Sequence, residues 1–145
     1  MRIFFVYPLF IVLSLFAFHC ILYNPAGADE TALNVDEILK NLDPEQINKF
    51  QAKEYFKDIK GKKAKGEGKV VYVLPVTKEQ SKIRILTPAS TPHKGYNILL
   101  FTNQDASLDL NKGDLVIFEG QVERVIPYQG ASLDIYGTYK KSGVK

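Results

Sequence analysis

The spacing of apolar and polar residues divides the chain into three parts. From Ile3 to Leu22 almost every residue is apolar. Residues 29–58 then carry apolar residues at helical spacing. From Lys62 onward, apolar and polar residues alternate as they do along β-strands. The pattern therefore predicts an apolar leader, a helical segment and a mainly β domain.

Two helix-start signals follow one another in the helical segment. Asn34 has Glu37 three residues later, which is the spacing of an N-terminal capping box. Asp43 is followed by Pro44, a residue favoured at the first helical position, and then by Gln46. These signals predict two short helices, capped by Asn34 and by Asp43.

The second helix is predicted to be amphipathic. Its apolar side is expected to consist of Ile47, Phe50 and either Tyr55 or Phe56. We expect it to run to about Lys57, because Gly61 then stops it.

The third part of the chain is rich in β-branched residues and has regular breaks. Prolines, glycines and the stretch Asn111–Asp114 separate its apolar runs. No helical pattern lies between these runs, which is typical of a small closed sheet. The predicted strands are Ala64–Leu74, Lys82–Thr87, Tyr96–Thr102, Leu115–Val125 and Ser132–Tyr139.

The apolar leader has the order of a secretory signal peptide. Arg2 is basic, the apolar run follows, and the small residues Ala26–Gly27–Ala28 come directly after Pro25. Cleavage is predicted between Ala28 and Asp29. The protein is therefore expected to be exported, and to be periplasmic or extracellular.

Two alternatives for the leader remain open. Residues 3–22 are long enough to cross a bilayer as an uncleaved anchor, and Arg2 would still leave the remainder outside the cytoplasm. A lipoprotein acylated at Cys20 is the other alternative, although His19 is bulky for the residue before a lipidated cysteine. In both alternatives, membrane contact is predicted only through the N-terminal segment.

The charge after the leader is segregated. Residues 29–58 hold eight acidic residues and four lysines, whereas residues 59–82 hold seven lysines and two acidic residues. The predicted organisation is a signal peptide over 1–28, an acidic helical extension over 29–58 and a β-barrel over 59–145.

Composition excludes several classes of protein. Hydrophobic residues make up 46% and charged residues 24% of the chain, as in an ordinary folded domain. The net charge of +3 is too small for a protein that coats nucleic acid. The one cysteine lies in the leader, so residues 29–145 have no disulfide framework and no thiol nucleophile.

Glycine-containing stretches of the β domain resemble a known family. Lys60–Val70 reads KGKKAKGEGKV and resembles the opening strand of OB-fold barrels. Leu110–Val122 reads LNKGDLVIFEGQV and is similar to their fourth strand, and Leu133–Gly137 fits the fifth. The resemblance covers about residues 56–140 and is to the tRNA-anticodon-like OB family, here in exported bacterial form. The connection 103–111 departs from the family, because it is short for the helix usually found there.

The resemblance implies a mainly β fold, a five-stranded OB-type barrel preceded by two short α-helices. OB barrels bind oligonucleotides, oligosaccharides or proteins across the second and third strands of the barrel, which are predicted here at Lys82–Thr87 and Tyr96–Thr102. The loops on either side of this surface are the one between the first and second strands and the one between the fourth and fifth. We therefore expect a non-catalytic binding module of the cell envelope. Its partner is predicted to be an envelope protein, a peptide or a glycan, because free nucleic acid is scarce outside the cytoplasm. The alternative is a single-stranded nucleic-acid-binding protein.

The candidate ligand-binding residues are cations and tyrosines on the strands and loops that the resemblance points to. Tyr136 and Tyr139 are further aromatic residues able to stack on bases or sugars. The same residues also suit a solvated strand and half-buried strand faces, and both interpretations remain open. The predicted binding residues are Lys82, Arg84, Tyr96, Tyr128, Tyr72, Lys63 and Lys65.

No cofactor, metal ion or catalytic group is predicted. Asp105, Asp109 and Asp114 lack the spacing of a calcium loop, and Asp114 is instead expected to cap the turn Asn111–Asp114. His93 lies in a loop and is expected to be solvated. The motifs of nucleophilic hydrolases, zinc proteases and P-loop enzymes are absent from the sequence.

Overall fold

All five predicted strands form, and each begins and ends within two residues of its predicted bounds. The computed structural model describes residues 31–43, 45–89, 95–126 and 131–143. In chain order the elements are β1 (Leu33–Asn34), α1 (Val35–Asn41), α2 (Lys49–Ile59), β2 (Lys63–Pro75), β3 (Ser81–Leu86), β4 (Ile98–Thr102), α3 (Ala106–Asp109), β5 (Leu115–Ile126) and β6 (Ser132–Lys141).

Strands β2 to β6 form a closed barrel in the order β2-β3-β4-β6-β5, and β5 pairs back with β2. The β4–β6 pair is parallel and the other barrel pairs are antiparallel. Every second residue of β3 and β4 points into the barrel, so that Ile83, Ile85, Ile98 and Leu100 are fully buried. The mainly β, OB-type fold class predicted from the sequence is confirmed.

Strand β2 serves both halves of the barrel. Lys63–Lys69 pairs with β5, and Lys69–Pro75 pairs with β3. Gly68 lies at this change of partner, where a Cβ would come within 2.5 Å of a methyl carbon of Ile85. The glycine therefore lets the strand pass close to β3 as it bends.

The helical segment contributes to the same hydrophobic core as the barrel. The Asn34 side chain caps α1 by accepting a hydrogen bond of 2.8 Å from the Asp36 N–H, as predicted. Helix α1 buries Val35, Ile38 and Leu39. Val35 packs beside Gly66 of β2, where an added Cβ would be 3.0 Å from its own. The missing side chain at position 66 therefore makes room for the helix.

The predicted start of the second helix is wrong. Helix α2 begins at Lys49, and its cap is Asn48, which forms a capping box with Gln51. Asp43 instead forms a turn, in which its carboxylate accepts from the Glu45 N–H and its carbonyl accepts from the N–H groups of Gln46 and Ile47. These are the bonds of an N-cap, but the turn that Asp43 begins does not continue into a helix. Pro44 lies outside the described residues.

The predicted apolar side of α2 is also partly wrong. Ala52 and Ile59 are the buried residues of this helix, and Phe50 is 80% exposed. Tyr55 and Phe56 both pack against the core, where one of the two was predicted. Ala52, the aromatic pair and Ile59 recur at helical spacing, which leaves Phe50 on the opposite side.

The connection between β4 and β5 is short, but it contains the single helical turn α3, capped by Asp105. Asp114 closes the following turn, as predicted, by accepting from the Asn111 N–H at 2.8 Å. None of the helices in the described ranges has the length and apolar character needed to cross a membrane.

Candidate nucleic-acid, glycan or peptide interface

The outward-facing residues of neighbouring strands form two rows across one side of the barrel. Register aligns Tyr72, Arg84, Leu99 and Asp134 in the first row. It aligns Leu74, Lys82, Phe101 and Tyr136 in the second. We call these eight residues the ring-and-cation face.

Arg84 lies between two tyrosine rings. Its guanidinium carbon is 4.9 Å from the centroid of the Tyr96 ring and 6.0 Å from that of the Tyr72 ring. These distances are those of cation–π contacts, which hold the side chain in one orientation. Tyr72 remains 52% exposed, so part of its ring is open to a ligand.

Lys82, Phe101 and Tyr136 form a second assembly. The Phe101 and Tyr136 rings stack in parallel, with centroids 4.5 Å apart and an angle of 4° between their planes. The Lys82 Nζ lies 5.2 Å from the centroid of the Phe101 ring. Tyr136 is still 53% exposed although Phe101 covers one of its faces. Tyr136 therefore offers aromatic surface in a fixed orientation.

The one carboxylate on the face is neutralised. Asp134 is buried, and its Oδ2 atom accepts from Arg124 of β5 at 2.6 Å and 2.7 Å. This ion pair leaves Lys82 and Arg84 as the cations of the face that have no acidic partner among the described residues. The face is consequently positive as well as aromatic.

A cleft of about 600 Å³ opens at the end of the second row. We call it the β4 cleft. Its walls come from the β2–β3 loop, from β4 with the connection that follows it, and from β6. The lining residues are Val76, Gln80, Ser81, Lys82, Phe101, Thr102, Asn103, Gln104, Tyr136, Gly137 and Thr138.

The structure brings four of the predicted binding residues together. Lys82, Arg84 and Tyr72 belong to the ring-and-cation face, and Tyr96 adjoins it through Arg84. Tyr128 lies outside the described residues.

The two remaining predicted residues, Lys63 and Lys65, lie on the half of β2 that pairs with β5. Lys63 is opposite Gln121, which is itself opposite Tyr136, and Lys65 is opposite Glu119. The register therefore separates Lys63 from Tyr136 by one intervening strand, and gives Lys65 an acidic neighbour.

Phe101 was missed as a candidate. The strand around it reads as a continuous apolar run, so the sequence does not indicate which of its residues face outward. The usable signal was its position between Lys82 and Tyr136, but this requires knowledge of both strand pairings.

Tyr139 does not take part in the face, which corrects the expectation that it is available for stacking. Its side chain points inward and is 7% exposed. Its hydroxyl lies 3.4 Å from the Asp109 carboxylate. Burial, together with the charges of Asp109 and Asp105, raises the pKa of Tyr139 to about 12.

The acidic residues considered as metal ligands have other partners. Asp114 binds Lys141 at 2.8 Å, and this hydrogen bond, with a second from the Asn111 N–H, lowers the pKa of its carboxyl. In the described part of the chain, no three histidine, cysteine, aspartate or glutamate side chains gather as a metal site would require. His93 lies outside the described residues.

The five-stranded barrel, closed by a parallel pair between its third and fifth strands, defines the class of protein as an OB-type fold. No family model and no curated protein matches the sequence.

Solved structures that match the chain include two complexes. OBody AM1L10 bound to hen egg-white lysozyme is 12% identical, with 61% of this chain and 85% of that chain covered and a TM-score of 0.43. Schizosaccharomyces pombe Pot1pC bound to ssDNA is 8% identical, with 59% and 82% covered and a TM-score of 0.39. Likeness at this level carries no argument about function, and the fold class rests on the strand pairing itself.

Proposed function

We propose that this protein is a non-catalytic binding module whose ligand contacts the ring-and-cation face. The observation that carries the proposal is the pair of assemblies on that face, Arg84 between Tyr72 and Tyr96 and Lys82 on the Phe101–Tyr136 stack. Each holds rings and a cation in place before a ligand arrives, which lowers the entropic cost of binding.

The proposal includes export and a partner in the cell envelope. Export is inferred from the signal-peptide pattern of residues 1–28, and it favours a protein, a peptide or a glycan as the ligand. The narrower relationship to exported tRNA-anticodon-like domains is also part of the proposal. It is supported by the two glycine-containing strand motifs.

A second candidate function is single-stranded nucleic-acid binding. The specific observation in its favour is that Arg84 lies beside the exposed Tyr72 ring, and Lys82 lies on the stack whose outer ring is the exposed Tyr136. Bases stack on such rings while cations contact the phosphates, without dependence on sequence.

The test compares two double variants that remove the same charge. Lys82→Ala with Arg84→Ala alters the ring-and-cation face, and Lys53→Ala with Lys112→Ala removes two exposed cations elsewhere. Purified full-length wild type and both variants are screened against peptide and glycan arrays and against a labelled single-stranded oligonucleotide. We expect the variant Lys82→Ala with Arg84→Ala to lose binding of the ligand, and the variant Lys53→Ala with Lys112→Ala to retain it.

The outcome also separates the two candidates. Oligonucleotide binding that weakens steeply between about 50 and about 200 mM salt indicates phosphate contacts and supports the second candidate. Binding of a peptide or glycan that depends on the face supports the first. Equal loss in both double variants would show that net charge, and not this face, is responsible.

A further inference from the structure

The β4 cleft combines an aromatic wall with polar groups that have no partner among the described residues. The stacked rings of Phe101 and Tyr136 form part of its wall. Amide side chains of the β2–β3 loop and of the β4–α3 connection stand around them. A few polar groups beside an apolar surface are the usual composition of a small-ligand site.

Existing hydrogen bonds fix the orientation of two of these amides. The Gln104 Oε1 atom accepts from the Tyr139 N–H and from the Thr102 hydroxyl, both at 3.2 Å. The Asn103 Oδ1 atom accepts from the Gln80 Nε2 atom, also at 3.2 Å. Because the oxygens are used, both NH₂ groups are left as donors.

These groups are unused within the described residues. No hydrogen bond there involves the Asn103 Nδ2, the Gln104 Nε2 or the Gln80 Oε1 atom. The cleft thus offers five amide N–H donors, two each on Asn103 and Gln104 and one on Gln80, and an amide acceptor. A ligand rich in hydroxyl groups, which both donate and accept, matches this set.

The charge of the cleft argues against a nucleic-acid backbone. Lys82 is the one charged side chain among the described residues that line it. A strand of nucleic acid carries a phosphate at every nucleotide, and several cations usually contact it.

The sheet edge argues against a peptide added as a further strand. Beyond Tyr136, β6 is no longer paired with β4. The Tyr139 N–H at this edge is already bonded to the Gln104 side chain. An added strand would need that donor.

From these observations we infer that the β4 cleft binds a saccharide unit with a flat C–H face, such as a β-linked glucose-type ring. The C–H face packs on the free face of the Tyr136 ring, and the ring hydroxyls bond to the amides of Asn103, Gln104 and Gln80. The inference rests on the proposed function, because it assigns a ligand class to one end of the ring-and-cation face.

The test is calorimetric titration of the purified full-length chain with cellotetraose and with chitotetraose. Tyr136→Ala and Asn103→Ala are each expected to weaken binding by about tenfold, through loss of ring contact and of amide donors. Tyr136→Phe keeps the ring and is expected to bind within about twofold of wild type. Ile117→Ala, which removes an equally exposed side chain on β5, is the matched control and is expected to change nothing.

Each result bears on the inference. Absence of binding to both tetrasaccharides overturns it, and so does binding that neither Tyr136→Ala nor Asn103→Ala weakens. If a single-stranded oligonucleotide or a peptide binds in place of the sugars and loses affinity in Tyr136→Ala, the saccharide inference fails while the proposed function stands. If no ligand responds to changes on the face, the proposed function fails as well.

Discussion

At the scale of single residues, close approach between strands depends on missing side chains. Gly120 and Gly137 lie opposite each other in the β5–β6 pair. A Cβ on Gly120 would collide with the Tyr136 carbonyl oxygen, and a Cβ on Gly137 with the Glu119 carbonyl oxygen. The obstacle is backbone in both cases, and a rotamer change cannot relieve it.

The first prediction concerns this glycine pair. Gly137→Ala is expected to lower the free energy of unfolding by at least about 2 kcal/mol, because the strands must separate to admit the methyl group. Lys140→Ala, an exposed change on the same strand, is expected to stay within about 0.5 kcal/mol. Urea denaturation measures the unfolding free energies of both variants. Equal stability of the two would contradict the close approach of β5 and β6 at this glycine pair.

The second prediction concerns Tyr139, whose pKa is raised from 10.0 to about 12 in the folded protein. Between these two pH values the unfolded chain loses the phenolic proton while the folded chain keeps it. Stability contributed by the neutral phenol is therefore complete below pH 10 and is lost as the pH rises toward about 12.

Tyr139→Phe removes this titration. We expect unfolding free energy to fall less steeply over this range in the variant than in wild type, as measured by urea denaturation at each pH. Tyr136→Phe, on the exposed side of the strand, serves as the control for loss of a phenol. A wild-type slope unchanged by Tyr139→Phe would show that other groups cause the alkaline loss.

At the scale of elements, local hydrogen bonding decides where a helix begins. Asp43 and Asn48 both have the residue type of a cap. Asn48 has Gln51 three residues later, and the two side chains bond to each other's backbone N–H. Asp43 caps one turn that does not continue, whereas Asn48 caps the turn that continues as α2.

The third prediction follows from that difference. Asn48→Ala is expected to destabilise the protein by about 1 kcal/mol, because two N–H groups of α2 lose their acceptor. Asp43→Ala removes one turn bond and is expected to cost less and to leave helix content unchanged. Circular dichroism during urea denaturation measures both effects. A larger loss of stability in Asp43→Ala than in Asn48→Ala would favour Asp43 as the start of the second helix, as predicted from the sequence.

At the scale of the whole molecule, the helical segment and the barrel share one core. Val35, Ile38, Leu39 and Leu42 of the acidic segment are buried with residues of the barrel strands. The described residues also belong to one compact unit that begins at Thr31. In α1, the acidic residues Asp36 and Glu37 are not buried, whereas the opposite side of the helix packs into the core.

The fourth prediction tests whether the helical segment and the barrel unfold together. Leu39→Ala, at a fully buried position, is expected to cost about 2–5 kcal/mol and to shift one cooperative unfolding transition. Lys40→Ala, the exposed neighbour on the same helix, is expected to leave the transition in place. Two separate unfolding transitions would mean that the helical segment folds independently of the barrel. Unfolding of the barrel strands that is unchanged by Leu39→Ala would mean the same.

The sequence by itself determined the five strands, the first helix cap and the alternation that turns Lys82 and Arg84 outward. These features depend on periodicity and on contacts between residues close in the chain, which a single sequence displays directly. The start of α2 was predicted wrongly because two adequate caps lie near each other, and the sequence does not show which of the two turns continues into a helix.

Tertiary structure decided which side chains meet. Phe101 stacks on Tyr136 because a parallel β4–β6 register places them opposite each other, although they are far apart in sequence. The same holds for the Gln104 side chain, which reaches the Tyr139 N–H on β6. Such contacts follow from how the barrel closes, since closure brings together residues whose local patterns carry no information about one another.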